Sequence, residues 1–178
     1  MPRLFFALQP ALAQNVALLE SIAPVIALLG SQPVPAENLH ATLCFIGEVE
    51  AERLDALREA VSGLRAQPVQ VGFDRLEYWE TPKILCATTS GNTSEAESLS
   101  VALGAAASAA GFSPDIKPLR AHLTLARKIP AARASEIPRP LPLESVLLLR
   151  ADSFVLMSSH REGERSIYSV VNSWPLYG

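Results

Sequence analysis

Apolar positions along this chain recur in two rhythms, and the switches between them mark out its elements. Arg3 to Leu8 is a short strand-like run closed by Gln9-Pro10. From Pro10 the period turns helical, with Leu12, Val16 and Leu19 on one stripe and Pro10 at the opening position, where proline is tolerated. Pro24 should kink or interrupt that helix before Gly30. The Pro33-Val-Pro35 segment is extended and leads into a strand over Leu39 to Gly47. Glu52 to Leu64 is the clearest helix, its Leu54, Leu57, Val61 and Leu64 spaced three or four apart. Val69 to Trp79 and Lys83 to Thr89 read as a strand pair joined across Glu80-Thr-Pro82. Thr93 is placed to cap a helix that runs to Ala110 and stops at Gly111. Residues 119–127 form another strand, followed by a proline-rich loop from Pro130 to Pro142. Three strand-like runs complete the chain: Ser145 to Leu149, Phe154 to Ser158 and Ser166 to Val171.

Strands outnumber helices and several follow one another directly. That order predicts an α+β fold with antiparallel pairing rather than a doubly wound parallel sheet. No linker of suitable length or composition divides the chain, so residues 1–178 are expected to form one domain.

Composition narrows the function. With 49% hydrophobic and 19% charged residues, the chain has the make-up of a globular protein that buries a core without disulfides. A net charge of −3 gives no bulk basic field, so any RNA would be held locally rather than wrapped. Cys44 and Cys86 fall within strand-like runs and lack Cys-x-x-Cys spacing; they read as reduced, buried thiols, with one disulfide left open. The opening apolar run is too short for a signal peptide, and Glu20, Ser21 and Pro24 break the stretch from Val16 to Leu29. No membrane partner and a cytoplasmic location are the expectation.

The chemistry lies in a repeat. Two of the three histidines share one frame, His40-Ala-Thr42-Leu43 and His122-Leu-Thr124-Leu125, a coincidence of about 0.3 per cent by composition. On a strand, residues i and i+2 share a face, so each motif offers an imidazole beside a hydroxyl. His40, Thr42, Cys44 and Ile46 then face one way and Ala41, Leu43 and Phe45 the other, toward the core; His122 and Thr124 oppose Leu123 and Leu125 in the same manner. The two motif strands, 82 positions apart and each downstream of a helix, suggest a weak internal duplication with one motif per lobe around a shared cleft.

Two histidines suit phosphodiester cleavage. One takes a proton from the nucleophile while the other gives one to the leaving oxygen, and an unperturbed pKa of about 6.5 permits both. Two threonine hydroxyls would donate to the non-bridging oxygens as charge gathers there. The competing reading makes the histidines hydrogen-bonded structural groups and the threonines ordinary strand residues. There is no His-Glu-x-x-His and no acidic cluster beside either motif, and two histidines alone make a poor zinc site, so neither metal nor other cofactor is expected.

HATLCFIGEV and HLTLARK resemble the paired HxT signatures of the two-histidine (2H) phosphoesterase superfamily, in its RNA 2′,3′-cyclic phosphodiesterase branch, first described as 2′-5′ RNA ligases. The likeness runs nearly end to end, from RLFFALQP to the closing Tyr168–Leu176. It implies a bilobal fold of two antiparallel-rich sheets with helices outside and the cleft between the lobes. It implies metal- and ATP-independent opening of a 2′,3′-cyclic phosphate, on an RNA 3′ end or a nucleotide, to a 2′-phosphomonoester, with 2′-5′ ligation as the reverse direction. By motif position His40 would be the acid at the departing 3′-oxygen and His122 the base for water. Thr42 and Thr124 would hold the phosphate, and Arg127 would be a further anion contact. Cyclic phosphates of ADP-ribose, 2′-5′ oligonucleotides, or a binding module without turnover remain the alternatives. A monomer is expected.

Two positions depart from the family's pattern. Ala121 precedes His122 where proline is frequent. Arg127 lies five places after His122, so a regular strand would send it to the opposite face; it meets the phosphate if the strand ends or bulges there, and otherwise forms a surface salt bridge. His160, in the polar run from Ser158 to Gly163, reads as an exposed loop residue and Lys128 as solvent-facing. Tyr78 and Trp79 are candidates for stacking on a base, with core packing the commoner fate of such residues. Phe45 is assigned to the core.

Overall fold

The computed structural model describes residues 3–163 and 165–177. Among the described residues, eight strands form two four-stranded antiparallel sheets. The strands are β1 (Arg3–Leu8), β2 (Ala41–Glu48), β3 (Val69–Trp79), β4 (Ile84–Thr88), β5 (His122–Ala126), β6 (Leu141–Ala151), β7 (Ser153–Glu162) and β8 (Arg165–Pro175). One sheet has the order β2-β1-β7-β8 and the other β5-β4-β3-β6. The helices are α1 (Leu12–Leu28), α2 (Leu54–Ser62), α3 (Ser94–Ala109) and the short α4 (Ala131–Ala134). The fold is α+β with antiparallel sheets.

The motif strands hold equivalent places. β2 follows β1 and α1, β5 follows β4 and α3, and each pairs antiparallel with its predecessor at the edge of its sheet. Helix α3 packs on β2 of the other sheet, where Ser100 Oγ donates to the Leu43 carbonyl and a Cβ at Gly104 would come into van der Waals contact with Cys44 Sγ. Helix α1 reaches β6, with Gln14 Nε2 donating to the Leu148 carbonyl at 3.0 Å. Each helix thus ties its own strand unit to the opposite sheet.

Alternation in β1 shows how both faces of the first sheet are covered. Leu4, Phe6 and Leu8 join the main apolar core, while Phe5 and Ala7 join Val155, Met157 and Tyr168 on the other face. Burying both faces of β1 accounts for its unbroken apolar sequence.

Several expectations are corrected. Helix α1 is not interrupted at Pro24, which lies on the exposed side where the carbonyl it leaves unpaired can be solvated. Its buried stripe is Asn15, Leu18, Leu19, Ile22 and Ile26, while Leu12 and Val16 face outward. The motif strands start later than predicted, at Ala41 and His122, because a 3₁₀ turn at Ala36–Asn38 and an extended segment precede them. The last three strands are longer than their apolar runs suggested. His160 is therefore no loop residue: it sits exposed on β7, paired with Ile167 of β8. Its hairpin projects beyond the core, so polar residues pair there without an apolar face to announce a strand.

Candidate active site

Both motif histidines stand at the entrance of an edge strand, and both are held in the same way. His40 Nδ1 donates to the carbonyl of Asn38 at 2.7 Å, and His122 Nδ1 to the carbonyl of Arg120 at 2.7 Å. A carbonyl only accepts, so each contact places the proton on Nδ1 and leaves Nε2 as the nitrogen free to exchange protons. Burial pushes the His40 imidazole down to about 4, helped by the nearby Arg127 guanidinium and the His122 ring and opposed by the Asn38 carbonyl. His122 is lowered for the same first reason, burial, with Arg120 and Arg127 adding to it and the Arg120 carbonyl opposing. In the free protein both rings therefore favour the neutral form near pH 7.

Past the threonines, the strands depart from simple alternation at the same step. Thr42 pairs with Ala7 and Cys44 with Phe6, leaving Leu43 as an extra residue; Thr124 pairs with Cys86 and Ala126 with Leu85, leaving Leu125 extra. Both leucines are buried, at 6% and 0% exposure. A bulge of this kind inserts one residue and shifts the face of everything after it. Cys44 and Ala126 consequently turn to the core, and the residues five places after each histidine return to the His/Thr face. In the second motif that residue is Arg127, whose Nη2 donates to the Tyr168 hydroxyl of the opposite sheet at 3.2 Å. In the first it is Phe45, which regular alternation would place in the core. It is 51% exposed, and its ring lies 5.6 Å from that of Phe5.

Each half of the site has its own surroundings. Around His40 the walls are aromatic: Phe5 at 4.9 Å and Tyr168 at 5.1 Å between ring centroids. A bulge at Val171 of β8 aims Tyr168 at this face while Trp174 turns to the core against Phe154 and Phe6. Around His122 the walls are polar. Trp79 lies 4.5 Å from the His122 ring, Arg120 sits over Trp79 at 4.3 Å, and Glu77 accepts from Trp79 Nε1 at 3.2 Å and Arg120 Nη2 at 2.6 Å. The adjacent aromatics thus part: Tyr78 is buried, its hydroxyl donating to the Ile129 carbonyl, while Trp79 borders the site.

His40, Thr42, His122, Thr124 and Arg127 are brought onto facing surfaces, with β2 and β5 in direct contact. Lys128 is exposed and has a left-handed backbone conformation, φ 58°. Phe5, Glu77, Arg120 and Tyr168 were not singled out in sequence; only their pairing partners reveal which face they take. Cys44 and Cys86 are free, buried thiols, raised by burial to about 11 and about 12. Among the described residues, no three His, Cys, Asp or Glu side chains cluster as a metal site.

Comparison with known proteins finds the same fold. The family described as LigT like phosphoesterase matches residues 8–85, which include the first motif. The RNA 2′,3′-cyclic phosphodiesterase of Archaeoglobus fulgidus is 30% identical over 84% of this chain and 88% of its own length. That of Thermus thermophilus is 30% identical over 99% and 91%. The crystal structure of Escherichia coli LigT in apo form superposes with a TM-score of 0.84 at 26% identity, covering 99% of both chains. The same protein complexed with 3′-AMP gives 0.81 at 26%, covering all of both.

Proposed function

The chain belongs to the LigT like phosphoesterase family, and from that premise we propose that it hydrolyses 2′,3′-cyclic phosphates of RNA ends or nucleotides to 2′-phosphomonoesters. The observation that carries the mechanism is the doubled lock on the imidazoles, each Nδ1 bound to a carbonyl two residues upstream and each Nε2 left for proton exchange.

In this reading the phosphate lies between the two sheets, its non-bridging oxygens accepting from the Thr42 and Thr124 hydroxyls and the Arg127 guanidinium. Water attacks phosphorus as His122 Nε2 takes its proton. The bond from phosphorus to the 3′-oxygen breaks as His40 Nε2–H protonates that oxygen. A new P–O bond replaces the broken one, and the 2′-oxygen keeps the phosphate. Burial holds both rings neutral in the free protein, whereas the reaction needs one imidazolium. The substrate's negative charge supplies the difference: set between the rings, it favours protonation of one of them. Substrate and proton are thus taken up together. The threonines and Arg127 then meet the charge that grows on the phosphoryl oxygens, where fixed donors act most strongly.

We propose that one chain, with its two sheets as duplicated lobes, suffices as a monomer, since each lobe contributes one motif. The buried free thiols suit a reducing cytoplasm. No helix among the described residues is long and apolar enough to cross a membrane. The test is turnover of 2′,3′-cyclic AMP in excess chelator and without ATP, with phosphorus NMR of the product. A 2′-phosphate is expected. A 3′-phosphate would reverse the assigned leaving group, and binding without turnover would make the chain a binding module.

A further inference from the structure

Beside His122 opens a cavity of about 550 Å³ that the proposed chemistry does not use. Trp79, Arg120 and Glu77 form the wall nearest the histidine, and Pro82, Arg139 and Pro140 form part of the remainder. Its size falls within the range of small-molecule sites. Its charges identify the kind of guest. The two guanidiniums are each paired with a carboxylate, Arg120 with Glu77 at 2.6 Å and Arg139 with Glu80 at 3.2 Å. The wall is thus balanced rather than cationic and has no surplus charge for a second phosphate. It offers the part of the Trp79 indole that Arg120 and His122 leave uncovered, two prolines and carboxylate acceptors, the needs of a neutral planar heterocycle with amino groups on its edge. Trp79 is also fixed before any ligand arrives, through Nε1 to Glu77 and through its ring contacts with Arg120 and His122. A preset ring loses little freedom when a base packs on it.

We propose that this cavity is a nucleobase subsite, in which the base of a nucleotide whose phosphate lies between His40 and His122 packs against Trp79. The proposal rests on the cyclic phosphodiesterase reading and adds to it a reason for preferring nucleotides over simple cyclic phosphates. Unpaired bases are commonly held on aromatic side chains in this manner.

The test uses 2′-AMP and inorganic phosphate as probes. In a Trp174→Phe protein Trp79 is the remaining indole, and proton NMR of its complex with 2′-AMP should show Overhauser contacts between adenine and indole protons. Trp79→Leu should weaken 2′-AMP by roughly tenfold to a hundredfold relative to phosphate, the span of base–aromatic stacking. Because Trp79 also touches His122, the ratio of the two affinities is the deciding readout, and a merely structural role would weaken both probes alike. Bound 2′-AMP without indole contacts, or an unchanged ratio in Trp79→Leu, would overturn the subsite even with turnover of 2′,3′-cyclic AMP intact. Absence of both binding and turnover would remove the functional reading and this proposal with it.

Discussion

Acid should loosen this protein through His40. The imidazole titrates near 4 in the folded chain against about 6.5 when unfolded. Between those values the unfolded chain binds the proton and the folded chain resists it. The contribution is thus fully present above pH 6.5, is lost as pH falls toward 4, and changes no further below that. From pH 7 to pH 5 the loss works out to about 2 kcal/mol for this one group. The perturbation to make is His40→Asn, because Asn keeps an N–H for the Asn38 carbonyl but has no proton to gain. Urea unfolding of both proteins at half-unit steps from pH 7.5 to 4.5 gives the comparison. The wild type should lose about 2 kcal/mol more than the variant between pH 7 and 5. The lowered carboxyl of Asp74 titrates below this window, near 2, and His122 remains in both proteins, so the difference reports His40 together with its coupling to the His122 ring. Inorganic phosphate should flatten the wild-type curve by raising the folded-state value. Parallel curves for the two proteins would refute the burial that underlies the mechanism.

Four further outcomes are expected. His40→Ala and His122→Ala should each lower kcat/KM on 2′,3′-cyclic AMP by about 10² to 10⁴, the double variant being little worse than the more damaged single. Thr42→Ala and Thr124→Ala should cost about 10 to 10³ each, while exposed His160→Ala stays near wild type; steady-state kinetics at one pH decide both. Because both rings are lowered in the free protein, the pH profile of kcat/KM should peak on the acid side of 6.5 and that of kcat at higher pH, and coincident profiles would contradict anion-linked protonation. Tyr168→Phe removes the hydroxyl that accepts from Arg127 across the cleft and should raise KM several-fold with a smaller change in kcat; an effect as large as that of Arg127→Ala would give the hydroxyl a direct role.

The histidines and threonines were legible because their chemistry and spacing are local: i and i+2 share a face at the strand entrance whatever happens later. Beyond them the pattern failed at definite points. Counting by twos put Phe45 in the core and Arg127 on the wrong face for a regular strand, since an unpaired leucine is visible only against the partner strand. The same blindness hid Tyr168, whose direction depends on the bulge at Val171. Trp79 and Tyr78, adjacent and alike in sequence, divide between the site and the core by strand parity alone. His160 was misplaced because a projecting hairpin has no buried face to give it a rhythm. Pro24 does not end α1 because the exposed side of the helix leaves room for a missing hydrogen bond.

The paired leucine bulges make the motif a matter of phase as well as of chemistry. Each adds half a pleat between the threonine and the fifth residue after the histidine, so a swap of side chains leaves the aim of Arg127 unchanged while a change of length does not. Removing Leu125 would keep both motif histidines and both threonines in the chain and send the guanidinium toward the apolar interior.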